Sequence, residues 1–450
     1  KFRSVRLAKP LFCTPPTSVM SLEDMFINTH GPGHSDQDPL KGIPSHIKRK
    51  DVKILLLEGV HPEGVKLLEQ QGFTVDCVKG MSEEDLMAAI PQYHVIGVRS
   101  KTQVTAAVLS KASLLMAVGC FCIGTDQVDL KEASKQGIPV FNAPYSNTRS
   151  VAEIAIAHII YLSRKMTDRN MEMHRGEWRK SAAGCYEVRG KTLGIVGYGH
   201  VGSQVSLLAE ALGMRVIVYD HQPKLMLGNA TPVPDLDTLL QTANFVSLHV
   251  PLTSVTKNMI GERELALMKP GSYLLNLARG QCVDISALAA SLKSGHLAGA
   301  MVDVFPSEPL VDGPGFETPL RGCPNTILSP HVGGSTLEAQ EAIGLEVAGR
   351  ILKYLIYGSS LGAVNFPNLE ISPSMHGTRV ISIHKNVPGV LAAINSVLSE
   401  FNIEEQVLGT NEHIGYLMAR LSGDAQAGDR VRDSIAVLST SIRTRHIENL

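Results

Sequence analysis

The sequence predicts an α/β protein in which two doubly wound parallel sheets are followed by a smaller domain of mixed helices and strands. Three observations support this fold class. Short apolar runs alternate with amphipathic helical patterns twice in succession, as in consecutive βαβ units. The 450 residues suit about three domains and are too many for a single core. The last part of the chain has a different order of elements from the rest.

The composition excludes several classes of protein. The chain carries 42 Lys and Arg against 43 Asp and Glu, so it lacks the basic excess of proteins that bind nucleic acid or an anionic membrane surface. No apolar run reaches the roughly 18 residues that a membrane-spanning helix needs. With 44% hydrophobic and 19% charged residues, the chain has the composition of a folded protein rather than a disordered one.

The cysteines predict a reducing compartment. All seven are scattered along the chain, and most lie within apolar runs, which is typical of free thiols in a cytoplasmic protein. Cys120 and Cys122 form the one close pair, and no second Cys or His pair accompanies them. We therefore expect a cytoplasmic protein without a metal site.

Residues 1–50 are expected to be a flexible extension, because they are rich in Pro, Gly, Ser and His and show no hydrophobic period. Basic residues without acidic ones in the first 20 positions faintly resemble an organelle-targeting peptide. Pro10, Pro15 and Pro16 break the amphipathic helix that such a peptide needs, and the chain does not begin with Met. A disordered cytosolic tail is the favoured interpretation.

The first parallel sheet is predicted between Asp51 and residue 147. The apolar runs that indicate its buried strands are Val52–Leu57, Val95–Val98, Leu114–Val118 and Val140–Phe141. Amphipathic patterns such as Glu63–Gln70 and Glu83–Ala89 predict helices between these strands. A long helix from about Ser150 to Arg164 then carries its apolar residues on one side.

The same alternation starts again after this helix and predicts a second parallel sheet. The strands expected in it are Leu193–Val196, Val216–Tyr219, Phe245–Leu248, Tyr273–Asn276, Gly299–Val304 and Thr326–Leu328.

Near Asn365–Gly377 the composition shifts to Pro, Ser and Gly, which predicts a linker. The remaining residues follow the order strand, helix, strand, strand, helix, strand, which is ferredoxin-like. These elements are Arg379–His384, Pro388–Glu400, Glu405–Gly409, Gly415–Leu421, Asp429–Leu438 and Ser441–His446. A domain of this size suits pairing or ligand sensing rather than chemistry of its own.

Residues Thr192–Gly202 form a dinucleotide-binding fingerprint. A β run leads into Gly197-Tyr-Gly199-His-Val-Gly202, a helical pattern follows, and the next strand ends at Asp220. Gly197 permits the tight turn, Gly199 lets backbone amides approach a pyrophosphate, and Gly202 lets the helix pack close to the strand. Asp220 would accept hydrogen bonds from ribose hydroxyls and repel a 2′-phosphate. The fingerprint therefore predicts a Rossmann-like domain that binds NAD rather than NADP.

Three charged side chains follow predicted strands of this second sheet, where ligand sites of doubly wound sheets lie. They are Arg279, Glu308 and His331. A histidine is suited to removing the hydroxyl proton of an alcohol while a hydride leaves the adjoining carbon. A carboxylate would fix the imidazole, and an arginine would hold a substrate carboxylate with two hydrogen bonds. The pattern predicts alcohol oxidation with His331 as the acid/base residue.

These motifs, taken together, resemble the D-isomer-specific 2-hydroxyacid dehydrogenases from about Asp51 to the C-terminus. The motifs that carry the resemblance are Gly119–Thr125, Ser146–Glu153, Gly197–Gly202, Ser247–Pro251, Ala278–Gly280 and His331–Thr336. Within the family, the chain is most similar to the enzymes that oxidise D-3-phosphoglycerate and carry a single C-terminal ACT domain.

The resemblance implies roles for individual residues. It makes Arg279, Glu308 and His331 the catalytic residues, and Arg279 and His331 also contact the cofactor. The other implied cofactor contacts are Gly197, Gly199, His200, Val201, Gly202, Asp220, Leu277, Ala278, Asp303, Gly333 and Gly334.

The resemblance also implies how the domains are arranged. The substrate-binding domain would be discontinuous, with residues 51–147 and 335–365, and the NAD-binding domain, residues 148–334, would be inserted in it. The ACT regulatory domain would comprise residues 377–450. The active site would then lie in the cleft between the first two domains, and closure would exclude water.

The implied reaction is the NAD-dependent oxidation of D-3-phosphoglycerate to 3-phosphohydroxypyruvate, the first step of the phosphorylated route to L-serine. Some relatives also reduce 2-oxoglutarate. The substrate phosphate requires cations beyond Arg279, and the candidates for the substrate site are Arg99, Ser100, Lys101, Lys79, Lys180 and, in the cleft, Asn147. Lys101 stands where the family usually has a second Arg. Lysine keeps the charge but cannot form the bidentate hydrogen bonds that arginine makes to a phosphate. Each of the four cations alone is ordinarily a solvated surface charge, and Arg99 is the exception because it ends an apolar strand.

The ACT domains of this enzyme type bind L-serine at an interface between paired domains. The matching positions are His384, Asn386 and Asn402. Two features depart from the usual pattern, because Lys385 replaces a common acidic residue and the segment before Asn402 is two residues short. The alternative is a domain that only mediates assembly, and relatives suggest a homotetramer.

Two other functions stay open. The fold family includes transcriptional regulators, so an NAD-sensing co-repressor or scaffold is one alternative, although the complete catalytic set argues against it. A dehydrogenase for another acid, such as lactate, glycerate or formate, is the second. The basic residues around Arg99 favour a phosphorylated acid, since the other acids have no phosphate to neutralise.

Overall fold

The computed structural model describes residues 49–309, 313–372 and 377–448. The predicted N-terminal extension lies outside these ranges except for its last two residues, as does part of the predicted linker. Within the described ranges the strands form three separate sheets of five, seven and four strands.

The first sheet is parallel and has the order β2-β1-β3-β4-β5. Its strands are β1 (Lys53–Leu57), β2 (Thr74–Val78), β3 (Val95–Val98), β4 (Ala117–Cys120) and β5 (Val140–Phe141). Its helices are α1 (Pro62–Gln70), α2 (Glu83–Ala89), α3 (Ala106–Lys111) and α4 (Leu130–Lys135). The central strands β3 and β4 are buried at every position, which is why their sequences are continuous apolar runs.

Two helices, α5 (Thr148–Arg164) and α6 (Met166–His174), lead from the first sheet to the second. The second sheet is also parallel and has the order β12-β11-β10-β9-β6-β7-β8. Its strands are β6 (Thr192–Val196), β7 (Arg215–Tyr219), β8 (Thr231–Pro232), β9 (Phe245–Leu248), β10 (Tyr273–Asn276), β11 (Gly299–Val302) and β12 (Thr326–Leu328). Its helices are α7 (His200–Ala211), α8 (Leu236–Thr242), α9 (Glu262–Leu267) and α10 (Ile285–Lys293).

The strand order of the second sheet reverses between β6 and β9. After β7 and β8 the chain returns to the other side of β6 and continues outward from there. Ligands of doubly wound sheets bind at such a reversal, beyond the carboxyl ends of the strands. The fingerprint glycines follow β6 directly, so they lie at this point.

The 21-residue helix α11 (Leu337–Tyr357) follows the second sheet in sequence but packs with the first. Its residues Ile343, Val347 and Ile351 share a core with the strands and helices of the first sheet. The helix crosses α1 where a Cβ on Gly64 would lie 2.7 Å from the carbonyl oxygen of Gly344. The chain therefore passes twice between the two units, before α5 and before α11.

The third sheet is antiparallel and has the order β14-β15-β13-β16. Its strands are β13 (Thr378–Lys385), β14 (Ile403–Thr410), β15 (Ile414–Leu421) and β16 (Ser441–Glu448), and its helices are α12 (Val390–Leu398) and α13 (Ala425–Ala436). This is the predicted ferredoxin-like order. The predicted fold class, two parallel-sheet units and one small antiparallel unit, is confirmed.

Buried arginines join the third sheet to the end of α11. Arg379 Nη1 donates to the carbonyl of Tyr357 at 3.0 Å, and Arg445 Nη2 donates to the carbonyl of Leu355 at 3.0 Å. The guanidinium of Arg445 also lies 4.9 Å from the ring centroid of Tyr354. Cations favour the carbonyl end of a helix, so these contacts stabilise the end of α11 against the third sheet.

Candidate active site

The loop between β6 and α7 has the shape that a dinucleotide requires. Gly197 has a φ of 93°, and a Cβ there would lie 2.5 Å from the carbonyl oxygen of His249. A Cβ on Gly202 would lie 2.1 Å from the carbonyl oxygen of Gly197. A Cβ on Gly199 would meet no atom within 4 Å, and no side chain caps the helix that begins after it. Open space thus adjoins the backbone amides of the first turn of α7, where His200 and Val201 lie, and these features fit a pyrophosphate.

The carboxylate of Asp220 is fixed beside this loop. Its Oδ2 accepts a hydrogen bond from the backbone N–H of Tyr198 at 2.8 Å, and its Oδ1 accepts one from Gln222 at 3.0 Å. The negative charge therefore stands directly next to the glycine loop at the end of β7. This position suits recognition of a ribose diol and disfavours a phosphate on it.

His331 and Glu308 form a hydrogen-bonded pair that fits the predicted acid/base role. His331 Nδ1 lies 2.8 Å from Glu308 Oε2, and Glu308 Oε1 accepts a hydrogen bond from the backbone N–H of Phe305 at 3.0 Å. The hydrogen bond to Glu308 raises the pKa of His331 although burial opposes it. Burial would raise the pKa of Glu308, but the hydrogen bond from His331 brings it below its usual value. Nε2 of the imidazole remains for a substrate proton.

A buried carboxylate, that of Asp303, holds the loop that carries His331. Asp303 Oδ1 accepts hydrogen bonds from Ser329 Oγ and from the backbone N–H of Val332 at 2.9 Å, and Oδ2 accepts one from Gly333 at 2.8 Å. The backbone of His331 has a φ of 54° and donates to the carbonyl of Asp303 at 2.7 Å. Asp303 therefore stabilises a left-handed backbone conformation that costs a histidine about 1–2 kcal/mol.

Arg279 follows β10 and lies beside this pair. Its Nη1 donates to the carbonyl of Ala278 at 2.8 Å, and its Nε lies 3.4 Å from Asp126 Oδ2. Its positive charge interacts with both Glu308 and His331. Leu277 and Ala278 are buried next to it and line the same end of β10. The structure thus brings the three residues predicted to be catalytic to one edge of the second sheet.

Asn147 and Gly334 meet where the chain passes between the two units. A Cβ on Gly334 would lie 2.1 Å from Asn147 Nδ2, so only glycine allows this approach. Asn147 Oδ1 is buried and makes no hydrogen bond to any described residue. An acceptor in this state fits a hydrogen bond from a ligand in the cleft.

A cavity of about 310 Å³ lies on the side of the first sheet. It is lined by Gly59, Val60, His61, Pro62, Arg99, Ser335, Thr336, Leu337 and Gln340. Arg99 Nη1 donates to the carbonyl of Glu58 at 3.3 Å, and the carboxylate of Glu58 accepts the backbone N–H groups of Lys101 at 3.0 Å and Thr102 at 2.6 Å. Glu58 therefore fixes the loop that presents Arg99 to the cavity.

The other predicted substrate residues do not line this cavity. Ser100 and Lys101 are exposed next to Arg99, and Lys79 is exposed after β2, at the same end of the sheet. Lys180 is exposed in the segment that follows α6. Neither Lys79 nor Lys180 lines the cavity, and their roles stay predictions.

Sequence reasoning missed four residues of this site: Glu58, His61, Asp126 and Gln340. Asp126 directly follows the motif Gly119–Thr125, and Gln340 lies four residues beyond His331–Thr336. Their closeness to these motifs was the signal that could have identified them as site residues. Glu58 and His61 follow the first strand, whose carboxyl end faces the cleft.

The predicted effector residues do not form one site within a single chain. His384 is buried near the end of β13, and Asn386 Nδ2 donates to the carbonyl of Asn411 at 2.8 Å. Asn402 precedes Ile403, which pairs with Leu421, and Leu421 pairs with Thr378 at the start of β13. Asn402 is therefore at the opposite end of the sheet from His384.

The described part of the chain holds no group of three or more His, Cys, Asp or Glu side chains that could bind a metal ion. Of the helices within the described ranges, none is both long and apolar enough to cross a membrane.

Comparisons with known proteins agree with this geometry. The model of the D-isomer specific 2-hydroxyacid dehydrogenase family, NAD binding domain, matches residues 156–333. The chain is 54% identical over 411 residues to D-3-phosphoglycerate dehydrogenase of Dictyostelium discoideum, covering 91% of this chain and 99% of that protein. It is 49% identical over 404 residues to D-3-phosphoglycerate dehydrogenase of Escherichia coli K12, covering 89% of this chain and 98% of that protein.

Solved structures match about two thirds of the chain. D-lactate dehydrogenase from Aquifex aeolicus, in complex with NAD and lactic acid, has a TM-score of 0.63 at 26% identity, covering 70% of this chain and all of that one. NAD-dependent formate dehydrogenase from Staphylococcus aureus, in complex with NAD, has a TM-score of 0.60 at 30% identity, covering 68% of this chain and 96% of that one.

The comparisons bear directly on two predictions. The matched family domain is the NAD-binding one, so the predicted cofactor, NAD, is confirmed. The prediction that the protein is an oxidoreductase is confirmed by the same match and by the relatives over nearly their full length. The chain belongs to the D-isomer specific 2-hydroxyacid dehydrogenase family.

Proposed function

We propose that the protein oxidises D-3-phosphoglycerate to 3-phosphohydroxypyruvate with NAD, the first step of the phosphorylated route to L-serine. The observation that carries the proposal is the 2.8 Å hydrogen bond between His331 and Glu308 beside Arg279, in the unit that also holds the glycine loop. The names of the two relatives with 54% and 49% identity supply the substrate.

Each residue has a separate task in this reaction. Arg279 binds the substrate carboxylate and polarises the adjoining oxygen. His331 Nε2 takes the hydroxyl proton, and Glu308 stabilises the imidazolium that forms. NAD held at the loop of Gly197, Gly199 and Gly202 would supply the acceptor for the hydride of the adjoining carbon. Arg99 binds the distal phosphate from the cavity wall, with Ser100, Lys101, Lys79 and Lys180 adding donors or charge, and Asn147 contacts the substrate at the chain crossing.

The test is direct. Purified protein mixed with D-3-phosphoglycerate and NAD at alkaline pH should produce the absorbance of NADH, and 3-phosphohydroxypyruvate should consume NADH in reverse. D-Lactate and D-glycerate, which have no phosphate, should react much more slowly. No turnover in either direction would contradict the proposal, and preference for D-lactate would reassign the substrate.

The role of His331 has its own test. The variant His331→Asn should lose turnover but keep NAD binding, because the imidazole would act on the proton whereas the loop after β6 would bind the pyrophosphate. An active His331→Asn variant would show that another group is the base.

We also propose a division into domains. Residues 51–147 and 335–365 would form the substrate-binding domain, residues 148–334 the NAD-binding domain and residues 377–450 the regulatory ACT domain. The packing of α11 on α1 and the separate antiparallel sheet support this division. Limited proteolysis should cut near residues 370–377 and release the ACT domain.

L-Serine would inhibit the enzyme through paired ACT domains of a homotetramer. The separation of His384 and Asn386 from Asn402 supports a site made by two chains, since one chain cannot bring them together. Titration of activity with L-serine and light scattering of the eluted protein test the inhibition and the assembly. Reduction of 2-oxoglutarate is a further proposed side reaction, tested by NADH consumption.

The enzyme would act in the cytoplasm. The cysteines within the described residues are all free, as expected in a reducing compartment. Fractionation of cells tests this location.

A further inference from the structure

One ion pair joins the two units across the active-site cleft. Arg279 extends from the end of β10 in the second sheet, and Asp126 lies in the loop after β4 of the first sheet. Arg279 Nε is 3.4 Å from Asp126 Oδ2, although the residues are 153 positions apart in sequence. The side chain of Arg279 is 28% exposed and that of Asp126 is 64% exposed, so the pair is at the mouth of the cleft.

A glycine of the same loop leaves room for the guanidinium. A Cβ on Gly124 would lie 2.8 Å from Arg279 Nη2 and 3.3 Å from Asp126 Oδ2. Gly124 does not have a positive φ, so its backbone conformation is open to any residue. The reason for a glycine here is therefore space for Arg279 rather than conformation.

These contacts decide which N–H groups of Arg279 face a substrate. Nε is paired with Asp126, and one hydrogen of Nη1 is donated to the carbonyl of Ala278 at 2.8 Å. The hydrogens on Nη2 and the second hydrogen on Nη1 are donated to no described residue and are available to a substrate. Two neighbouring nitrogens with available hydrogens suit a carboxylate approaching the end of the guanidinium.

The loop that holds Arg279 is itself fixed to the loop of Arg99. Gln127 Nε2 donates to the carbonyl of Arg99 at 2.5 Å and to Cys122 Sγ at 3.3 Å. Cys122 Sγ in turn donates to the carbonyl of Gly124 at 3.1 Å. One short segment of the first sheet therefore contacts both arginines that the proposed function assigns to the two ends of the substrate.

We infer that Asp126 is a positioning residue for the reaction, which together with the space left by Gly124 seats the guanidinium of Arg279 for the substrate carboxylate. The inference rests on the proposed function, because it assumes that Arg279 binds the substrate. An arginine side chain has many rotamers, and fixing one of them before binding reduces the entropy that binding costs.

The test compares two variants of Asp126 and a matched control in the full-length protein. Asp126→Asn keeps the shape and removes the charge, and it should lower kcat/KM about three- to fivefold, which is the range of an exposed ion pair. Asp126→Glu should recover most of the loss, because it restores the carboxylate. Asp129→Asn removes another exposed charge three residues further along, where asparagine also caps a helix, and it should leave kcat/KM unchanged.

A double-mutant cycle separates positioning from a general loss of structure. In an Arg279→Gln background, Asp126→Asn should have much less effect than in the wild type, since the partner charge is gone. Gly124→Ala tests the position of Arg279 by a second, steric means. It should displace Arg279 and lower kcat/KM at least tenfold, with an unchanged thermal unfolding temperature.

The pH profile supplies a readout that a purely structural role would not move. Glu308, Asp303 and Arg279 are the charged groups that act on His331. Without Asp126, the charge of Arg279 acts more strongly on His331, so the acid limb of kcat/KM should move to lower pH in Asp126→Asn.

The outcomes distinguish this inference from the proposed function. An inactive wild type would overturn the proposed function itself. An active wild type whose kcat/KM and pH profile are unchanged by Asp126→Asn would overturn only the inference. A lower KM with unchanged kcat would also overturn it, because Asp126 would then merely compete with the substrate for Arg279.

Discussion

Replacing Glu308 by glutamine tests how the acid/base pair works. In the wild type, Glu308 Oε1 accepts from the backbone N–H of Phe305 at 3.0 Å, and Oε2 faces His331 Nδ1 at 2.8 Å. In Glu308→Gln, the amide oxygen must face Phe305, because an NH₂ group in that position would point its hydrogens at the backbone N–H of Phe305. The amide nitrogen then faces Nδ1 and forces the hydrogen of the neutral imidazole onto Nε2.

This tautomer has no free lone pair at Nε2 to take the substrate proton. The expected loss is that of a misoriented general base, roughly 10²-fold or more in kcat. The hydrogen bond to Glu308 is also the largest cause of the raised pKa of His331, so the pKa should fall in the variant. For oxidation the neutral imidazole is required, and the acid limb of the kcat/KM profile should therefore move to lower pH.

The assay is steady-state oxidation of D-3-phosphoglycerate over a range of pH, together with NAD binding by fluorescence. Glu308→Asp is the matched control, since it keeps the charge and shortens the side chain by one methylene group. The reasoning fails if Glu308→Gln keeps the wild-type kcat, or if its acid limb stays in place. Loss of NAD binding would show instead that the substitution disturbed the neighbouring cofactor loop.

Three further predictions concern the cofactor and stability. Asp220→Ser removes the carboxylate beside the glycine loop, so the KM for NAD should rise about tenfold while use of NADP improves; an unchanged NAD/NADP ratio of kcat/KM would contradict this. Tyr145 packs on His200 with ring centroids 4.1 Å apart, so Tyr145→Ala should weaken NAD binding about three- to tenfold in a fluorescence titration, and Tyr161→Ala, equally exposed, should not. Burial lowers the pKa of His249 to about 4, below its unfolded value of 6.5, so the stabilisation it gives is complete above pH 6.5 and is lost as the pH falls toward 4. Thermal unfolding across that range should show the loss, and His249→Asn should reduce it.

The strands that the sequence reveals are those buried on both faces. β9 and β10 are buried at every position, and their apolar runs have the observed bounds. The edge strand β2 was missed because most of its residues are exposed, so that it has no apolar run. The strand predicted at Leu114–Val118 begins three residues later, at Ala117, because Leu115 and Met116 are buried in the loop before it. Burial alone does not separate a strand from a packed loop.

The residues of the candidate site also differ in how well the sequence predicts them. The fingerprint glycines and His331 are recognisable because local backbone geometry requires their residue types at fixed spacing. Asp126 and Gln340 are polar residues on loops and helix starts, where polarity is the default and carries no signal. Asp126 meets Arg279 across 153 positions, and such a contact follows only from how the two sheets face each other. Glu58 has a φ of 67°, which its sequence does not indicate.

The hydrogen bonds of the proposed base and the wall of the cavity belong to different units. His331, Glu308 and the supporting Asp303 all belong to the second unit, and their hydrogen bonds lie within it. Arg99 and the cavity beside it belong to the first unit. A change in the distance between the units would therefore leave the hydrogen-bond partners of His331 in place, because a group held by rigid neighbours keeps its geometry. The charges around His331 would change, since the ion pair of Asp126 with Arg279 joins the two units and the charge of Arg279 lowers the pKa of His331.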